Sequence, residues 1–254
     1  MIYLYGLLEA TATGADAISG MAGVTAPIAL APVPGAILIY GPHPGTEILP
    51  KRRNLLAHAQ VLEAAAWFGL VLPMRFGMSA SGLDEVEGLV LAQAADVAAA
   101  FERIRDRIEL GLRVAFPREA ALRATLAGAP DLASERARLL ALPRPDPFAQ
   151  AEFGRRLAER LDARRGLAQR RLIEKLRPLW SDYRLRTPEE DVQILAVDLL
   201  LPEGEQTRFA AALEEAATGC DFAPGADPLI RIIGPVPPFN FVNLTLLTRK
   251  PEAA

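Results

Sequence analysis

The groups in this chain whose types could do chemistry are two imidazoles, one thiol and a dense run of arginines. A nucleophile triad needs a base beside its serine or cysteine, and His43 and His58 are the only imidazoles available. His43 stands in the Pro-flanked turn Gly41-Pro42-His43-Pro44, and His58 falls inside an apolar-periodic helix. No G-x-S-x-G elbow exists to present a serine. Phosphate binding would call for a Walker A loop or a dinucleotide fingerprint, and neither pattern occurs. A single cysteine, Cys220, excludes an internal disulfide framework and a multi-cysteine zinc site. The carboxylates of Asp84, Glu85 and Glu87 are better placed to favour the positive end of a following helix than to hold a metal. The expectation is a non-enzymatic protein with no catalytic, metal or cofactor residues; an enzyme of unrecognised class is the alternative, resting on the two histidines.

Arg155, Arg156, Arg160, Arg164, Arg165, Arg170 and Arg171 form the second candidate. Such a stripe neutralises nucleic-acid phosphates. Against that use, Glu152, Glu159, Asp162 and Glu174 are interleaved at helical pairing distances, and no aromatic residues stand among the arginines to stack bases. The stripe therefore reads as a solvated helix face, with a protein-docking or nucleic-acid-docking module as the alternative.

Two further segments are distinctive. Val71-Leu72-Pro73-Met74-Arg75-Phe76-Gly77 places one guanidinium in an apolar run. If buried, Arg75 needs a partner, because a lone buried guanidinium costs several kcal/mol; a structural clamp is the favoured reading over a ligand site. Gly234-Pro235-Val236-Pro237-Pro238-Phe239-Asn240-Phe241 has three prolines in four positions, which fix φ, remove three N–H donors and stiffen the backbone. It reads as a rigid connector with Phe239 and Phe241 on one face, or as a recognition edge whose rigidity lowers the ordering cost of binding.

The elements that must position these segments follow from periodicity. Strands are expected at residues 2–8, 36–40, 70–78, 110–116, 193–201, 229–233 and 239–247. Helices are expected at 51–68, at 84–109 as one long element, and at 205–218. An Arg-rich helix over 148–177 forms a hairpin with 118–140. The fold class is α+β in two domains, residues 1–109 and 110–254, each with helices on one sheet face and the second with the Arg-rich helical insertion.

With 51% apolar and 23% charged residues the chain can build packed cores. Its net charge of −3 leaves no footprint for nucleic acid or an anionic membrane, although residues 151–186 hold eleven basic against five acidic groups. Residues 1–10 lack a basic n-region and do not read as a secretory signal. The longest uncharged apolar region, 21–40, is interrupted by Pro27, Pro32 and Pro34, so no membrane span is expected, and one cysteine suits the cytosol.

The Leu72-Pro73-Met74-Arg75-Phe76-Gly77 segment resembles the LPxRFG strand of the gas vesicle accessory proteins of the F/L type. Residues 234–242 resemble that family's GPWPPYSFV-like element, with Val236 where the family has tryptophan, Phe239 for its tyrosine and Asn240 for its serine. Tyr3-Leu4-Tyr5-Gly6 looks like its opening strand, and His58 with Val61-Leu62 like its helix before LPxRFG. The resemblance implies two α+β domains, the C-terminal one ferredoxin-like, with no cofactor and no catalysis. It also implies a cytoplasmic assembly factor or minor structural component associated with gas vesicles. The partners implied are the small hydrophobic shell subunit and other gas vesicle accessory proteins. The partner-binding positions carried over are Arg75, Phe76, Gly77, Gly234, Pro235, Pro237, Pro238, Phe239 and Phe241.

Overall fold

A computed structural model of the chain describes residues 1–25, 27–144 and 146–242. The chain divides into two units, Met1–Ile108 joined by the stretch that begins at Pro237, and Glu109–Val236.

The first unit is built on β1 (Ile2–Glu9), β2 (Ala29–Val33), β3 (Ala36–Pro42), β4 (Val71–Pro73) and β5 (Ser79–Ala80). The sheet order is β2-β3-β1-β4, with β5 pairing β1 beyond the end of β4. All these pairings are antiparallel. Alternation along β1 sends its uninterrupted run of buried residues to two cores, and a register shift between Leu4 and Gly6 swaps the parity partway along the strand. Tyr3, Tyr5 and Leu8 join the core formed with Val61, Leu62 and Ala65 of α1 (Arg52–Ala66). Leu4 and Leu7 join the other core, with Val86 and Val90 of α2 (Leu83–Ala92) and Val97, Phe101 and Ile104 of α3 (Ala94–Ile104). Helices thus pack against both cores of this sheet, where the periodicity suggested one face.

Two expected elements of this unit are broken and one strand is added. The helix over 84–109 divides at Gln93, whose φ of −116° and ψ of 23° leave the helical region, and it ends at Ile104. Its apolar stripe still points one way. Asp106 then takes a positive φ of 53° and the chain enters β6 (Arg107–Ala115). The strand over 70–78 stops at Pro73, which has no N–H for the ladder, and resumes as β5 after a turn. Between residues 21 and 36 the expectations held no strand, and the structure adds β2; it stands at the sheet edge, where its Pro32 is tolerated.

The second unit runs β6, α4 (Arg118–Ala127), α5 (Pro130–Ala141), α6 (Pro147–Leu176), β7 (Asp182–Leu185), β8 (Gln193–Pro202), α7 (Gln206–Thr218) and β9 (Leu229–Val236). The first arm of the expected hairpin is two helices, since Gly128 closes α4 and Pro130 opens α5 at its first turn. Asp146 caps α6 by accepting from the Phe148 N–H at 3.2 Å, and Pro147 sits where a missing donor is harmless. The sheet order is β7-β8-β6-β9. Every β8 residue from Gln193 to Leu201 is buried, so this strand is the core of the unit. Its Asp198 carboxylate meets both the Nε and Nη2 of Arg186 at 2.5 Å, with Arg113 3.8 Å away, the compensation a buried charge requires.

Candidate functional site

Position 58 lies on the same helical stripe as Val61, Leu62 and Ala65, so the spacing that makes α1 amphipathic also carries an imidazole into the core. His58 Nδ1 lies 2.9 Å from the Tyr3 hydroxyl and its Nε2 lies 3.0 Å from the Met74 carbonyl oxygen. A carbonyl only accepts, so Nε2 carries the proton and Nδ1 accepts from Tyr3. The Tyr3 oxygen in turn accepts from the Gly77 N–H at 3.3 Å. Tyr5 stacks on the imidazole at 5.3 Å, and the Phe76 ring stands edge-on to both Tyr3 and His58. This network clamps the turn after β4, which the Met78 N–H closes onto the Arg75 carbonyl at 3.2 Å.

The clamp is therefore His58 with Tyr3. Arg75 is exposed and has no ion-pair partner among the described residues. Gly77 makes the turn at φ +86°, a conformation that costs an L-residue about 1–2 kcal/mol. Gly77→Ala is expected to lower the denaturation free energy by that amount, measured by urea titration.

Burial holds the His58 pKa below its ordinary value, against the opposing pull of the Met74 carbonyl, and pushes the Tyr3 hydroxyl up to about 12. The folded state favours the neutral imidazole. Its contribution is complete above the unfolded-state value of about 6.5 and is lost as pH falls from there through the folded-state value. Denaturation midpoints recorded across that interval should fall with acidity more steeply in wild type than in His58→Leu.

The second motif is divided between the two units. Gly234, Pro235 and Val236 end β9, exposed, with Val236 opposite Glu109. Gly234 has φ +112°, and a Cβ there would lie 2.9 Å from the Glu109 carbonyl oxygen, so glycine is required. From Pro237 the chain belongs to the first unit. Residues 239–241, expected to start a strand, form a 3-10 helix in which Phe239 N–H donates to the Pro237 carbonyl and Phe241 N–H to that of Pro238. The prolines fix φ and leave these local bonds as the donors' outlet. The rest of that expected strand, 243–247, lies outside the described residues. Phe241 is fully buried, Pro238 is buried, and Pro237 and Phe239 are half-buried. The two phenylalanines do not form one exposed face. The 3-10 helix packs against β4, so both motifs meet in the first unit although some 160 residues separate them in the chain.

The arginine stripe is largely spent on structure. Arg156 ties α6 to Asp131 and Glu135 of α5, Arg164 donates to the Asp221 and Phe222 carbonyls, and Arg171 reaches Asp221 at 2.5 Å. Arg155 and Arg165 pair within α6. Among the described residues, no three His, Cys, Asp or Glu side chains gather as a metal would require, and no helix is long and apolar enough to cross a membrane. His43 accepts from the Gly45 N–H, and burial raises the Cys220 thiol pKa, which disfavours the thiolate.

Sequence reasoning missed the surface of β9. Among the described residues the strand ends its sheet, and it exposes Leu229 (60%) and Ile233 (44%) on one face and Ile232 on the other. Sheet order is the only signal that would have marked it, and it is not readable from the run itself.

Two α+β units, the first of them holding the clamped turn, make a class of fold already solved. The crystal structure of the gas vesicle protein GvpF from Anabaena sp. superposes with a TM-score of 0.73 at 22% identity, covering 96% of this chain and 98% of that one. GvpF from Microcystis aeruginosa gives 0.65 at 20% identity, over 96% and 99%. Gas vesicle protein F of a Streptomyces species is 26% identical across 95% of this chain and 99% of its own length. The model of the gas vesicle synthesis protein GvpL/GvpF family matches residues 1–243, and the chain belongs to that family. Its function is in gas vesicle formation, as an assembly or structural factor.

Proposed function

We propose that this chain is a cytoplasmic assembly factor that holds the small hydrophobic shell subunit of the gas vesicle, with β9 as the receiving edge. The observation that carries the reading is the exposed apolar character of a sheet-terminal strand. Edge strands offer unpaired N–H and C=O groups, and soluble proteins ordinarily blunt them with charge. Here one Arg, Arg231, stands among Leu229, Ile230, Ile232 and Ile233. An extended apolar segment of the shell subunit pairing with this edge would be withheld from pairing with its own kind. Gly234 and Pro235 terminate the edge, and Arg75 offers a second exposed contact. Phe76 and Gly77 contribute by holding Arg75 in its turn, and Pro237, Pro238, Phe239 and Phe241 by stiffening the chain that leaves the edge.

The second unit is read as ferredoxin-like. Its β-α-β-β-α-β succession, with α4, α5 and α6 together filling the first helical position, and the sheet order β7-β8-β6-β9 support this. Other accessory proteins of the vesicle are further partners of the same class of surface.

The test is the solubility of the shell subunit expressed alone and with this protein. A soluble fraction that rises on co-expression supports the reading; equal solubility in both cases rules it out.

A further inference from the structure

A second surface, separate from β9, has the composition of a docking site. The last turns of α5, the first turn of α6 and the described residues between them expose Leu140 (70%), Leu142 and Phe148 (78%) together with Arg136, Arg138 and Arg144. The two helices are held side by side by Arg156, whose guanidinium takes Asp131 at 2.8 Å and Glu135. Asp146 is occupied as the cap of α6. The local carboxylates are thus engaged, while Arg136, Arg138 and Arg144 have no carboxylate partner among the described residues. What remains is an apolar knob with three uncompensated cations along the same stretch of chain.

The complement of that knob is present on the same chain. One face of α2 carries Leu83, Asp84, Glu87 and Leu91 (64%), all exposed and within about 12 Å at 1.5 Å per residue. Its neighbour Glu85 is satisfied by the N–H and hydroxyl of Ser81, which hold its pKa low. Asp84 and Glu87 have no cation partner among the described residues. One surface therefore offers leucines and phenylalanine among unpaired arginines, and the other leucines beside unpaired carboxylates.

We infer that the α5–α6 knob of one copy docks on the α2 face of a second copy of this chain. The two patches are different surfaces, so the contact is heterologous and repeats from copy to copy, closing into a ring or continuing as a filament. Each patch is small, which places the contact in the weak, concentration-dependent class. Its charge pairs sit at an exposed rim and are screened by salt.

Sedimentation velocity of the full chain over a roughly hundredfold concentration range, at low and high salt, tests this. Mass-average size should rise with concentration at low salt and fall back at high salt. Arg138→Glu with Arg144→Glu, or Asp84→Arg with Glu87→Arg, should each weaken association by about tenfold, the equivalent of 1.4 kcal/mol. A chain carrying all four reversals should recover it, which a folding defect could not do. The inference is overturned by a wild type that stays monomeric throughout. It is equally overturned if the four-fold variant fails to recover, or if the reversals alter only binding to phosphatidylglycerol liposomes, which would make the knob a membrane contact.

Discussion

Phe241→Ala is expected to lower the stability of the first unit by about 3–5 kcal/mol, the usual range for emptying a fully enclosed aromatic site. The side chain has no exposed surface and follows two consecutive prolines, of which Pro238 is itself buried. Its backbone is fixed by the bond to the Pro238 carbonyl, so the surroundings have little freedom to collapse into the void. Phe239 is half-buried against the α1 core, and Phe239→Ala should lose less than half as much. Chemical denaturation with a fluorescence readout separates the two. A loss below about 1 kcal/mol for Phe241→Ala would mean that the 3-10 helix does not anchor the end of this segment. The practical consequence is that Phe241 should not be used as a binding probe, because loss of a partner would follow from loss of the fold.

His58→Leu is the second large effect. Leucine approximates the volume of histidine but offers no polar atom, so the Tyr3 hydroxyl loses its acceptor and the Met74 carbonyl its donor. Buried groups left unpaired cost about 1–3 kcal/mol each, which places the variant about 2–6 kcal/mol below wild type. Tyr3→Phe removes the other end of one bond, and the double variant should lose less than the two single losses combined, because the pair shares one interaction. Additive losses would show that the clamp is two independent contacts rather than a network.

How much of this was legible from the sequence depends on whether the deciding interaction is local. Periodicity placed α1, the apolar stripe from Val86 to Ile104, β8 and α7 within a few residues, because a repeat of 3.6 or 2 is written into the run itself. It failed where one residue overrules the pattern. Gln93 breaks a helix that the stripe continues through, and Pro73 with Gly77 breaks a strand. Phe239 and Phe241, two apart, suggested a strand face; the prolines before them impose a 3-10 turn instead.

The motifs themselves were visible as unusual runs, and the family resemblance was visible through them. Their meeting was not, since nothing in residues 72–77 states that residues 239–241 will lie against β4. Nor was the role of His58 legible: a lone histidine on an apolar helix face looks the same whether it is a ligand, a base or a satisfied core group. The distances to Tyr3 and Met74 decide for the last. The exposure of β9 is a property of sheet order, and sheet order is set by pairings across more than a hundred residues.

The most direct test of the account is retention of the small vesicle shell subunit after co-expression, comparing wild type with Leu229→Lys, Ile233→Lys. Both side chains are exposed, so the fold should be unchanged by circular dichroism, while two lysines on one face of β9 should block strand addition. The account predicts that wild type retains the shell subunit and the variant loses it. Retention by the variant equal to wild type would contradict the assignment of β9 as the receiving edge, and no retention by wild type would contradict the proposal that this chain holds shell subunits.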